Sequence, residues 1–124
     1  MSPTETVQSF LKAWEPANGW KTAIRDYFTA DCVYENVGLT NTTGPAASIA
    51  VLEAMAKQLP FVSLKVDMLG IAAQGNTVMT ERVDHLLGAD GKALVSIRLM
   101  GVFEVQGGKI KAWRDYFDSR AVGG

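Results

Sequence analysis

Hydrophobic side chains recur at helical spacing three times in the first half of the chain. The predicted inner faces are Val7, Phe10, Leu11 and Trp14 in the first helix, Trp20, Ala23, Ile24, Tyr27 and Phe28 in the second, and Ile49, Leu52, Met55 and Ala56 in the third. Ser2 or Thr4 can cap the first helix, and Pro16 and Gly19 end it. Pro45 suits the first turn of the third helix, where its missing N–H is not needed.

Extended segments separated by turn residues follow Pro60. They run over about Val62–Ala73, Thr77–Leu87, Ala93–Val105 and Ile110–Asp118. Connections this short predict an antiparallel meander, because parallel strands need long crossovers. Before the third helix, Cys32–Val37 is predicted to be a short strand and Gly38–Gly44 to be a loop.

This order of elements predicts an α+β fold in a single domain over residues 1–124. We expect a curved, mixed but mostly antiparallel sheet packed against three N-terminal helices. A sheet closed over in this way forms a cone, and the open end of a cone is a natural internal pocket.

The composition and net charge of the chain limit the classes of partner that we expect. The chain has 124 residues, 48% of them hydrophobic, and a net charge of −1, which favours neither nucleic acid nor a membrane as a partner. No segment approaches the roughly 20 apolar residues of a membrane span. The N-terminus has no basic region followed by an apolar signal core. We therefore expect a soluble, cytoplasmic protein.

The available chemistry is limited as well. Cys32 is the only cysteine, so an intramolecular disulfide is impossible, and with a single histidine a zinc site is not expected. The chain has no Gly-rich dinucleotide fingerprint and no P-loop, so we expect no cofactor. Carboxylates, arginine, tyrosine and neutral polar groups must supply any chemistry.

Polar residues in three strands recur with the period of two that places side chains on one face. These sets are Arg82, Asp84 and Leu86, then Trp113, Asp115 and Phe117, and finally Tyr34 and Asn36. If the three faces line one cavity, five polar groups converge there. Alternation does not identify the inner face, however, and an Arg and an Asp two residues apart on a strand are more often an exposed ion pair. His85 lies opposite Asp84 and is expected at the surface.

Longer motifs add a family resemblance. The runs Glu81–Asp84, Gly101–Val105 and Trp113–Asp118, together with Tyr34–Asn36, resemble the limonene-1,2-epoxide hydrolase family. The resemblance extends from about Val7 to Asp118. It implies the cone fold shared with nuclear transport factor 2, the ketosteroid isomerases and the small polyketide cyclases. It also implies a homodimer.

The resemblance further implies that water opens an apolar epoxide to a vicinal diol in one step, without a covalent intermediate. Asp115 would be the general base, with Tyr34 and Asn36 holding the water, and Asp84 the protonated acid, with Arg82 bridging the two aspartates. Two carboxyl groups close together in an apolar surround can share these roles, because their mutual repulsion raises one pKa. The expected apolar walls include Leu86, Trp113, Phe117, Met55 and Ile97.

Three alternatives remain open. In the first, a hydroxyl of the substrate replaces water and opens the epoxide to a cyclic ether. The same fold can carry a ketosteroid-isomerase-like or polyketide-cyclase-like enzyme, in which an Asp base acts beside an oxyanion hole. It can also serve as a non-catalytic module that binds a small molecule. The binding module predicts that the five polar groups do not converge.

Overall fold

Three helices and six strands form the protein in a computed structural model that describes residues 1–122. In chain order they are α1 (Pro3–Lys12), α2 (Gly19–Tyr27), β1 (Phe28–Asn36), β2 (Thr40–Thr43), α3 (Pro45–Gln58), β3 (Ser63–Gln74), β4 (Thr77–Leu87), β5 (Ala93–Gln106) and β6 (Lys109–Tyr116), followed by a 3-10 turn (Ser119–Val122). The predicted domain also includes Gly123 and Gly124, which lie outside the described residues. No helix within residues 1–122 is long and apolar enough to cross a membrane.

The N-terminal helix begins at a capping box. Ser2 Oγ accepts a hydrogen bond from the backbone N–H of Glu5 at 3.1 Å, and Glu5 Oε1 accepts one from the Ser2 N–H at 2.9 Å. This reciprocal pair satisfies two donors that a helix start leaves free. Of the two predicted caps, Ser2 is therefore the one used. Helix α1 places Phe10 against the sheet, where its ring contacts Trp14 and Trp113 at centroid distances of 5.3 and 5.4 Å.

The strand order in the sheet is β2-β1-β6-β5-β4-β3. The last four strands form the predicted antiparallel meander, and β1 lies parallel to β6, which makes the sheet mixed. The parallel pairing places Asn36 beside Asp115 and Tyr34 beside Trp113. The predicted fold class is thus confirmed, and this one parallel contact joins the early strand to the site.

Several boundaries differ from the prediction. Helix α1 ends at Lys12, before the predicted helical residue Trp14, and β6 ends at Tyr116. The stretch Gly38–Gly44 is not a loop, because Thr40–Thr43 pairs antiparallel with β1 as an edge strand. Gly38 makes this hairpin possible by adopting a φ of +84°, which residues with a side chain rarely reach. Phe28 is not helical: its extended backbone starts β1, which therefore begins earlier than predicted, while its ring stays in the core.

Candidate active site

The five polar residues predicted from alternation are all buried. Arg82 is 0% exposed, Asp115 3% and Asp84 5%, and Tyr34 and Asn36 are almost as inaccessible. The exposed ion pair that pattern statistics favoured for Arg82 and Asp84 is therefore wrong. The five groups also converge, which contradicts the expectation that follows from a non-catalytic binding module.

Arg82 joins the two aspartates directly. Its Nε and Nη2 atoms donate to Oδ1 and Oδ2 of Asp84 at 3.0 and 2.9 Å, and Nη2 also donates to Asp115 Oδ2 at 3.0 Å. Nη1 donates to the hydroxyl of Thr80 at 3.0 Å. The guanidinium lies over the rings of Phe103 and Trp14, with its carbon 5.6 and 6.0 Å from their centroids. Four hydrogen bonds and two aromatic faces thus hold the cation in place.

Asp115 is held from its own strand as well. Trp113, two residues earlier on β6, donates from Nε1 to Asp115 Oδ1 at 2.8 Å. The Trp113 ring is itself stacked on Tyr34 from β1, with centroids 4.2 Å apart. Each oxygen of the Asp115 carboxyl therefore accepts one hydrogen bond from a rigid neighbour. The group is oriented without filling all of its acceptor positions.

Tyr34 and Asn36 form a small polar network next to Asp115. Asn36 Nδ2 donates to Tyr34 Oη and to Thr40 Oγ1, each at 3.0 Å. Because both amide hydrogens are engaged, the Asn36 carbonyl oxygen and the Tyr34 hydroxyl hydrogen remain available for another molecule. Burial, then the nearby Asp115, raises the pKa of Tyr34 well above its ordinary value, so this hydroxyl keeps its hydrogen. The Asn36 carbonyl oxygen is thus a free acceptor and the Tyr34 hydroxyl a free donor, and Asn36 lies beside Asp115 in the sheet.

If Asp84 and Asp115 are both ionised, the single positive charge of Arg82 leaves the cluster with one uncompensated negative charge. Burial raises the pKa of Asp115 to about 6, with Arg82 lowering it and Asp84 raising it again. Burial lowers the pKa of Arg82, but Asp115 and Asp84 raise it by more, so the guanidinium stays charged. A proton on Asp115 makes the cluster neutral, because the charge of Arg82 then balances that of the remaining carboxylate.

An apolar pocket opens onto this cluster. The pocket together with its open mouth spans about 560 Å³ that no protein atom occupies, and Asp84, Asp115, Tyr34 and Asn36 all line it. The predicted wall residues Leu86, Trp113, Phe117, Met55 and Ile97 line it too, together with Trp14, Trp20, Ile24, Leu52, Phe61, Leu64 and Leu99. Arg82 lies behind the aspartates and contacts them rather than the pocket.

Sequence reasoning missed three residues of the site. Thr40 orients the Asn36 amide from β2, the strand that was predicted to be a loop. Thr80 accepts from Arg82 and shares its strand face with Arg82 and Asp84, so the period of two could have found it. Gly101 is the register partner of Thr80 on β4 and of Asp115 on β6. Lacking a side chain, it lets Arg82 reach across β5 to Asp115, and no sequence pattern indicated this.

Other reactive side chains lie outside the cluster. Burial raises the pKa of Cys32 to about 12, which keeps the thiol protonated and unreactive. His85 is on the opposite face of the sheet, as predicted, and its ring nitrogens contact Ser96 at 2.7 Å and Asp67 at 2.8 Å. Among residues 1–122, no three His, Cys, Asp or Glu side chains are placed to hold a metal ion.

Solved structures identify the fold. A limonene-epoxide-hydrolase-like epoxide hydrolase of M. tuberculosis superimposes with a TM-score of 0.76 at 33% identity, over 97% of this chain and 81% of that one. An NTF2-like protein of unknown function from Cytophaga hutchinsonii ATCC 33406 gives a TM-score of 0.73 at 18% identity, over 97% and 93% of the two chains. The architecture is therefore the NTF2-like fold.

Sequence comparison identifies the family. The family model described as the limonene-1,2-epoxide hydrolase catalytic domain matches residues 1–122. Epoxide hydrolase EphG of Mycobacterium tuberculosis (strain ATCC 25618 / H37Rv) is 41% identical over 88 residues, which are 71% of this chain and 56% of that protein. The match thus spans little more than half the length of this curated relative. The chain belongs to the limonene-1,2-epoxide hydrolase family, which confirms the resemblance seen in its motifs.

The space at Gly101 gives a first testable prediction. A Cβ atom there would lie closer than 3.0 Å to both Arg82 Nη1 and Asp115 Oδ1. We expect Gly101→Ala to lower the free energy of unfolding in urea by about 1–3 kcal/mol, because the added methyl group overpacks the charge cluster.

Gly70→Ala is the matched control for Gly101→Ala. Gly70 is also a strand glycine, and a Cβ atom there would meet nothing within 4 Å. Its unfolding free energy should stay within about 0.5 kcal/mol of the wild type. Equal stability of the two variants would contradict the close approach at Gly101.

Proposed function

We propose that this protein adds water to an apolar epoxide and releases a vicinal diol. The observation that carries the proposal is the pair of buried aspartates, bridged by Arg82, at an apolar pocket. Family membership supports the same reaction. An epoxide is neutral and strained, and its opening by water requires one group that accepts a proton and another that donates one. Two carboxyl groups that share a single proton meet both requirements.

In the proposed mechanism, Asp115 is the general base. The Tyr34 hydroxyl donates to the attacking water and the Asn36 carbonyl accepts from it, using the two positions that their own contacts leave free. As the water oxygen bonds to one epoxide carbon, its proton passes to Asp115. Placing the water in line with the breaking bond contributes an orientation effect to the rate.

Asp84 is the general acid in this scheme. As the bond between carbon and the ring oxygen breaks, Asp84 donates its proton to that oxygen, which becomes the second hydroxyl of the diol. Arg82 contacts both carboxyl groups and stays charged, so it balances the negative charge that moves from Asp115 to Asp84. A proton returned from Asp115 to Asp84 completes the cycle. No bond between enzyme and substrate forms.

The assay is a panel of small epoxides with chiral analysis of the diols. We expect Asp115→Asn and Asp84→Asn each to lower kcat by about 10²–10⁴-fold, because each removes one proton transfer. Asp67→Asn is the matched control, since Asp67 lies on the other face of the same sheet and is exposed. Substantial turnover by Asp115→Asn would exclude it as the base.

Two additions to the panel separate the competing reactions. A steroid enone in the same panel tests the isomerase alternative, which predicts turnover of the enone and none of the epoxides. Repeating the epoxide assay for a single turnover in H₂¹⁸O tests the route of the oxygen. Direct attack by water places one label in each diol, whereas an unlabelled diol would mean that an enzyme carboxylate forms a covalent ester.

The shared proton predicts the pH dependence. The pKa of Asp115 is raised to about 6, so the pair holds its proton below about pH 6 and loses it above. Because Asp84 must donate this proton to the epoxide oxygen in each turnover, we expect kcat to fall about tenfold per pH unit above that point. The measurement is kcat from pH 5 to 9 after subtraction of the uncatalysed rate. A rate that rises across pH 6–8 would contradict the assignment.

We also propose a homodimer that forms through the outer face of the sheet. Met79, Met100 and Tyr116 are each about half exposed on neighbouring strands of that face. We expect Met100→Asp to shift the sedimentation velocity from dimer to monomer, while Leu39→Asp, at an exposed position in the β1–β2 turn, leaves it unchanged. A wild type that sediments as a monomer would contradict the dimer.

Three further expectations rest on composition and sequence pattern alone and stay predictions. They are the cytoplasmic location, the absence of nucleic-acid and membrane partners, and the single domain. Because the match to EphG spans 56% of that protein, the activity of the whole protein is likewise part of this proposal.

A further inference from the structure

Thr80 contacts Arg82, and neither residue lines the pocket. Thr80 is 1% exposed. The hydroxyl donates to the Gly101 carbonyl oxygen at 3.2 Å and accepts from Arg82 Nη1 at 3.0 Å. Because its single hydrogen is engaged by Gly101, the hydroxyl presents only an acceptor to Arg82. Thr80 is therefore a fixed acceptor at the far end of the guanidinium.

The guanidinium is a rigid planar fork, so its contacts constrain one another. Asp84 engages Nε and Nη2, and Thr80 engages Nη1. With these three atoms held, the guanidinium stays in one position, from which an N–H of Nη2 reaches Asp115 while the second N–H of Nη1 makes no hydrogen bond within residues 1–122. The Nη1 atom and Asp115 Oδ1 border the same small space next to Gly101, where a Cβ atom would approach both. Without the Thr80 hydroxyl, the guanidinium would be free to tilt as a unit toward that space, which would bring the second N–H of Nη1 to Asp115.

We propose that Thr80 is a positioning residue that limits Arg82 to one hydrogen bond with Asp115 and thereby keeps Asp115 able to accept a proton from water. This inference rests on the proposed function and extends it to a residue that touches neither substrate nor water. A second charge-assisted hydrogen bond would stabilise ionised Asp115 and lower its pKa. Asp115 would then be a weaker base, and the pair would lose its shared proton at a lower pH.

The test compares three variants. Thr80→Val replaces the hydroxyl with a methyl group of similar size, and Thr80→Ser keeps the hydroxyl. Thr6→Val is the matched control, because Thr6 is a fully buried threonine of α1 whose hydroxyl has no partner among the described residues and which lies outside the pocket. Circular dichroism and urea unfolding establish that each variant is folded. If Thr80→Val does not fold, Thr80→Ala takes its place against Thr80→Ser.

We expect Thr80→Val to lower kcat by about 10- to 100-fold while KM changes less than about threefold, because Thr80 does not contact the substrate. The pH above which kcat falls should move down by about one unit. Thr80→Ser should return both quantities close to the wild type, and Thr6→Val should leave both unchanged. A purely structural role would change stability without moving the pH profile.

A second readout needs no substrate. The ¹³C chemical shift of the Asp115 carboxyl carbon, followed against pH, reports its titration directly. We expect a midpoint near pH 6 in the wild type, Thr80→Ser and Thr6→Val, and a lower midpoint in Thr80→Val. If the wild type opens no epoxide, the proposed function fails, and this titration still decides the role of Thr80. An unchanged midpoint in Thr80→Val, or a loss expressed only in KM, would overturn the inference.

Discussion

A single buried guanidinium between two carboxyl groups is the interaction on which the rest of this structure depends. Removing such charges from water costs several kcal/mol for each ion, and the cost is offset only when the geometry is good and the remaining donors and acceptors are satisfied. Arg82 meets this condition with four hydrogen bonds and two aromatic faces. The surrounding residues are explained largely by that requirement.

The register of the sheet fixes the relative positions of the residues in the charged cluster. Thr80, Gly101 and Asp115 are register partners across three adjacent strands, and the middle one has no side chain. Arg82 can therefore reach from β4 across β5 to β6. On the other side of Asp115, the parallel pairing of β1 with β6 brings Asn36 alongside. Because strands hold their side chains more rigidly than loops do, the site is built on elements suited to exact placement of its polar groups.

The helices and the rest of the inner face supply the apolar surround. Phe10 and Trp14 from the N-terminal segment pack against Trp113, whose ring also orients the Asp115 carboxyl. The same aromatic group thus belongs to the hydrophobic core and to the charged site. This coupling places the cluster in apolar surroundings, and burial there raises the pKa of Asp115.

Much of the fold and of the site could be predicted from the sequence, because local patterns of residues determine these features. Alternation placed Arg82 with Asp84, and the helical spacing and turn residues predicted the order of the elements. The motifs identified the family. The inner face of the strands, the pairing of Thr40–Thr43 with β1 and the gap at Gly101 followed only from the tertiary structure. The reason is physical: a period of two reports that side chains share a face, whereas burial, edge pairing and a missing Cβ depend on which strands become neighbours.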